Sequence, residues 1–150
     1  MIGIFVCRAM PRRFVVCVVM LLALLLPSAY AADDRLLGEV MRGEVDGVRA
    51  EVRGTGAYYG PSIDVVVENS RGSEVVVRVP VGSLLVPGDP KVQTMVTAGG
   101  ERLTAPPGTT RFRIVAFCGE EHDRGPGVSD TFSDGGIASG ELLKLLRELQ

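Results

Sequence analysis

The chain has no tryptophan and a single histidine, and only 5% of its 150 residues are aromatic. One imidazole, His122, excludes the blue-copper set of two histidines and a cysteine. A zinc site through His122 would need further ligands brought from distant parts of the chain. Glycine is abundant, yet neither G-x-x-x-x-G-K-[ST] nor G-x-G-x-x-G occurs, so phosphate cradling has no support. Asn69 is followed by Ser70-Arg71 and completes no N-x-[ST] sequon. No acidic residue precedes Asp33.

That acid-free start has the three parts of an export leader. Arg8, Arg12 and Arg13 form a basic flank, and residues 14–26 (FVVCVVMLLALLL) are wholly apolar. The run suits a leader core and is shorter than the roughly 20 residues that span a bilayer. Pro27 ends it, and Ala29-Tyr30-Ala31 places small residues where a signal peptidase reads, predicting cleavage before Ala32. Met10 offers an alternative start that would shorten the leader. The expected location is secreted, periplasmic or cell-envelope, with membrane anchoring only if the leader stays uncleaved.

Cleavage removes three of the 16 Lys and Arg and none of the 18 Asp and Glu, leaving a net charge near −5. Such a balance argues against nucleic acid as a partner, because a basic face is the electrostatic footprint of that binding. It also removes Cys7 and Cys17. Cys118 remains alone, so no intrachain disulfide forms and the fold must rest on its hydrophobic core.

The expected organisation is a signal peptide over 1–31, a lead-in over 32–46, a β-sandwich over 47–136 and an amphipathic helix over 137–150. The lead-in reads as a short helix or irregular segment. GVRAEVRGT (47–55) alternates as a strand with Val48, Ala50 and Val52 on one face. SIDVVVEN (62–69) and EVVVRVP (74–80), joined by a short polar turn, read as a hairpin. Residues 83–86, 91–98 and 101–105 read as further strands. Residues 109–118 (TTRFRIVAFC) read as one long strand carrying Phe112, Ile114, Ala116 and Cys118 on its inner face. Residues 119–136 read as a Gly- and Asp-rich loop. With turn signals every eight to twelve residues, the pattern predicts an all-β sandwich of about seven strands. Leu142, Leu145, Leu146 and Leu149 then form a helical stripe, with Ser139 placed to cap it. That stripe would pack on the sandwich or on another subunit, so an oligomer through this helix is one expectation.

Reactive residue types cluster only at Cys118-Gly-Glu120-Glu121-His122-Asp123. A thiol nucleophile with His122 as base is opposed by the neighbouring carboxylates, which raise a thiol's pKa. Cys118 could instead form a thioester with Gln93, as some exported bacterial sandwich domains do; the bland alternative is an inert core thiol and a hydrogen-bonded glutamine. Tyr58 and Tyr59, beside Gly60-Pro61, are the best candidates for a contact surface. The binding candidates are therefore Tyr58, Tyr59, Gln93, Cys118 and His122, with no catalytic residue, no metal site and no cofactor.

The run N-S-R-G-S-E-V-V-V-R-V-P-V-G, then K-V-Q-T-M-V, then A-P-P-G-T-T and F-C, resembles uncharacterised exported prokaryotic domains of immunoglobulin-like type, over about residues 47–132. The resemblance implies an immunoglobulin-like or Greek-key sandwich outside the cytoplasm, and brings no activity with it. The expected function is a non-enzymatic interaction or cell-envelope module that binds a protein or envelope component. The alternative is a thiol- or metal-dependent protein centred on Cys118 and His122.

Overall fold

Valine-rich alternation is the force that shapes this domain. β-Branched side chains favour the pleated backbone, and placing every second one on the same face makes a strand with one dry side. In the computed structural model, which describes residues 33–120 and 123–149, β2 (Val48–Gly54), β3 (Ile63–Asn69) and β8 (Gly108–Ile114) form where that alternation occurs. Val48 and Val52 of β2 and Ile63, Val65 and Val67 of β3 are fully buried, and Ala50 packs against them. The expected leader over 1–31 lies outside the described residues, and residues 32–150 form one unit. Among the described residues no helix is long and apolar enough to cross a membrane.

The chain folds as a mostly β, sandwich-like domain with ten strands among the described residues rather than about seven. The remaining elements are β1 (Asp33–Leu36), α1 (Leu37–Met41), β4 (Val75–Val79), β5 (Ser83–Pro87), β6 (Met95–Thr97), β7 (Glu101–Ala105), β9 (Ala116–Cys118), β10 (Thr131–Ile137) and α2 (Gly140–Glu148). One sheet has the order β1-β4-β7, the other β8-β3-β2-β10-β5-β6-β9. Among the described residues, all strand pairs are antiparallel except β1 with β4. Val75, Val77 and Val79 of β4 and Leu103 and Ala105 of β7 meet the inner valines of β2 and β3 in a single core cluster.

Several expectations are corrected. The two central valine strands are not a hairpin: β3 pairs with β2 and β8, whereas β4 pairs with β1 and β7 in the other sheet. Asn69 holds the crossing. Its Nδ2 donates to the carbonyls of Ser73 and Ala105, each at 2.9 Å, and its Oδ1 accepts from the Arg71 N–H at 3.0 Å. Val75, Val76 and Val77 are all buried, as in a strand covered on both faces, which a half-wet hairpin strand would not be.

The long strand over 109–118 is two strands, β8 and β9, separated by Val115 alone and placed at opposite edges of the seven-stranded sheet. Flat, those edges would stand roughly 29 Å apart at the usual strand spacing. One intervening residue makes that impossible, so the sheet curls until its edges meet at Val115. The strand expected over 91–98 shrinks to β6, with Val92 making an isolated bridge to Arg124.

The segment expected as a loop contains β10, a central strand between β2 and β5. Only Phe132 of its residues is buried, and Gly135 is needed because a Cβ there would lie 2.6 Å from Val86 and 3.2 Å from the Leu84 carbonyl. β10 leaves β2 after Phe132, and α1 packs against both strands. Gly38 of α1 sits on the Asp134 carboxylate, which is paired with Arg42.

The lead-in is thus a strand and a helix. β1 is held by ion pairs as well as by its ladder: Asp33 binds Arg35 and Arg71, and Asp34 binds Arg78 and Arg102 at 3.0 and 3.1 Å. Arg78 and Arg102 face each other across β4 and β7, so Asp34 neutralises a like-charge pair. The terminal helix is shorter than expected, and Ser139 makes no side-chain cap. Leu146 is buried and Leu143 lies beside Gly82, while Leu142, Leu145 and Leu149 face solvent.

Candidate contact surface

Two loops meet at the end of the fold where β2 stops and β3 begins. The first, residues 55–61, turns through Gly60 at φ 72°, a left-handed conformation that favours glycine. Thr55 ties its ends, donating from its N–H to the Ser62 carbonyl at 2.9 Å and from Oγ1 to the Pro61 carbonyl at 3.1 Å. The buried Ser62 hydroxyl donates to the Ala116 carbonyl at 2.8 Å, and the Ala116 N–H donates to the Gly60 carbonyl at 3.3 Å. The loop is thereby fastened to β9.

The second loop follows β9 and is organised by Arg124. Its guanidinium binds both oxygens of Asp130, at 2.6 and 2.9 Å, and one oxygen of Asp89 at 3.2 Å. Asp130 also accepts the Gly127 N–H at 2.6 Å, and its carbonyl accepts the Gly54 N–H at 2.9 Å. Hydrogen bonds from Arg124 and Gly127 hold the Asp130 carboxyl below the usual carboxylate range. Gly54 permits this docking, since a Cβ there would come within 2.4 Å of the Gly127 carbonyl oxygen.

The two loops touch. The Tyr58 ring lies over Gly125, where a Cβ would be 2.4 Å from it, and Val128 lies beside Gly56. Tyr58, Tyr59 and Val128 are nonetheless 69, 79 and 71% exposed. Three large apolar side chains therefore stand in water on a frame made rigid by hydrogen bonds and an ion-pair hub.

Four of the five candidate residues come to this end. Cys118 is half-buried and its Sγ donates to the Tyr58 carbonyl at 3.7 Å. Burial pushes its thiol above the ordinary value, the opposite of what a nucleophile needs. Gln93 is buried, its N–H donates to the Arg124 carbonyl at 3.0 Å, and its Nε2 donates to the Asp123 carbonyl. Its Oε1 is buried without a hydrogen-bond partner among the described residues. Cys118 and Gln93 thus engage different partners, linked through residues 123–125. His122 lies outside the described residues. Among the described residues, no three side chains of metal-binding type come together.

Sequence reasoning missed Arg124, Asp130, Asp89 and Val128. The acidic and basic residues of 119–136 could have suggested an ion-pair hub, but their partners are 6 and 35 positions away and only the fold pairs them. A scan of known family models, a search of curated proteins and a search of solved structures find no match to this chain. What the fold and its exposed loops define is a class: a mostly β, sandwich-like domain with a braced aromatic loop end.

Proposed function

We propose that this chain is an exported, non-enzymatic β-sandwich of immunoglobulin-like type that works by binding a protein or another component of the cell envelope. The observation that carries the reading is the exposed trio of Tyr58, Tyr59 and Val128 on two interlocked loops. Tyrosines offer large amphipathic contact area with few rotatable bonds, and a braced frame reduces the entropy lost on binding. The raised thiol of Cys118 fits a packing role better than a reactive one.

A photo-crosslinking amino acid at Tyr59, in cells expressing the full chain, tests the surface. The control position is Glu74, exposed at the opposite end of β3. A discrete adduct from Tyr59 and none from Glu74 is expected. Equal labelling from both positions, or none from either, overturns the proposal.

A further inference from the structure

The outward face of β2, β3 and β8 is a charged surface, and one groove in it carries an arginine without an ion pair. Residues stand across it in rows set by strand register: Glu51, Val66 and Arg111 in one row, Arg53, Asp64 and Arg113 in the next. Together with Gly54, Thr55 and Val128 they line an open groove of about 360 Å3. Arg113 binds Asp64 through two nitrogens, at 2.7 and 3.2 Å, and Arg53 binds Glu51 at 2.6 Å. Arg111 is exposed and, among the described residues, its side chain makes no ion pair or hydrogen bond. The acids diagonal to it on β3 are Asp64, which Arg113 binds and whose carboxyl the Arg111 charge also helps to hold down, and Glu68. The groove therefore holds three cations against two anions, on a chain that is acidic as a whole.

Val66 lies directly across from Arg111 in register, and Val128 lines the same groove toward the loop end. A guanidinium is a planar fork that matches a carboxylate through two parallel hydrogen bonds. We propose that this groove is a binding site for a carboxylate attached to a small aliphatic group, with Arg111 holding the carboxylate and Val66 and Val128 covering the aliphatic part. The site shares Val128 with the loop-end surface but does not depend on Tyr58 or Tyr59.

The test is a titration followed by backbone amide NMR, using acetyl-alanyl-valine as probe and its C-terminal amide as the uncharged counterpart. Saturable shifts at Val66, Arg111 and Val128 are expected with the acid and not with the amide. Arg111→Gln should weaken binding about tenfold, of the order of losing a charge-assisted bidentate pair. It should leave the remaining spectrum in place, because the Arg111 side chain makes no internal bond. Arg49→Gln, on the same face outside the groove lining, should leave the affinity unchanged, as should Tyr58→Ser with Tyr59→Ser. Equal binding of the amide, equal binding of inorganic phosphate, or an unaltered affinity in Arg111→Gln overturns the proposal. Loss of binding in the double tyrosine variant with Arg111→Gln unchanged would assign recognition to the loop end instead.

Discussion

The Asn69 carboxamide joins three stretches of backbone, and no other residue type supplies two donors and an acceptor in so small a volume. Asn69→Ala leaves the Ala105 carbonyl without this donor in a buried setting, so a loss of about 1–3 kcal/mol is expected in urea unfolding. Asn69→Asp should also destabilise, since a carboxylate offers acceptors where donors are needed. Cys118 gives a second residue-level prediction. With its thiol raised by burial, alkylation by iodoacetamide at pH 8 should be several-fold slower in the folded chain than in urea. A folded-state rate equal to or above the unfolded one would instead support a reactive thiol. Cys118 was legible in sequence as the inner residue at the end of an alternating run. Its partner, the Tyr58 carbonyl, was not, because 60 residues separate them.

At the scale of elements, α2 separates what periodicity says from what packing does. The leucine stripe at 142, 145, 146 and 149 correctly marked a helix, yet three of those leucines face solvent and the buried side runs through Leu143 and Leu146. Leu146→Ala should therefore lower stability by about 2 kcal/mol, within the usual range for a buried leucine. Leu145→Ala should change it by less than about 0.5 kcal/mol, as surface substitutions do. Thermal unfolding of the two variants side by side checks the assignment. β10 shows the opposite failure. TFSDGGI has no alternating apolar face, so nothing local announces a strand, and it forms because β2 and β5 present open ladders on either side. β3 and β4 were legible as strands from their valines, but pairing is a non-local choice made by the Asn69 crossing.

For the whole molecule, charge sets how the fold responds to pH. Asp33, Asp64, Asp89 and Asp130 all sit below the usual aspartate value of 3.8, held there chiefly by hydrogen bonds from Arg35, Arg113, the Lys91 backbone and Arg124 respectively. A carboxyl depressed in the folded state stabilises fully at pH well above 3.8, and that stabilisation is lost as pH falls through the lower folded value. The melting temperature should stay level from about pH 7 to 5 and fall below about pH 4, with salt reducing the effect because the Arg113 and Arg124 side chains of these pairs are exposed. Asp130→Asn should melt below the wild type at pH 7, and the difference should shrink as the pH falls through the lowered folded value and the wild-type carboxylate is protonated as well. A constant difference across that range would mean that Asp130 acts through packing alone.

By itself the sequence determined the acidic balance of residues 32–150, the single thiol there, the β class, the inward valines and the terminal helix. Each of these depends on side-chain type and on spacing within a few residues. Tertiary structure alone decided which sheet β4 joins, that β8 and β9 part at Val115, that β10 enters the centre, and that Arg124 meets both Asp130 and Asp89. Those outcomes depend on hydrogen-bond ladders and ion pairs between residues far apart in the chain, whose energies exist only once the two sheets have closed on one core.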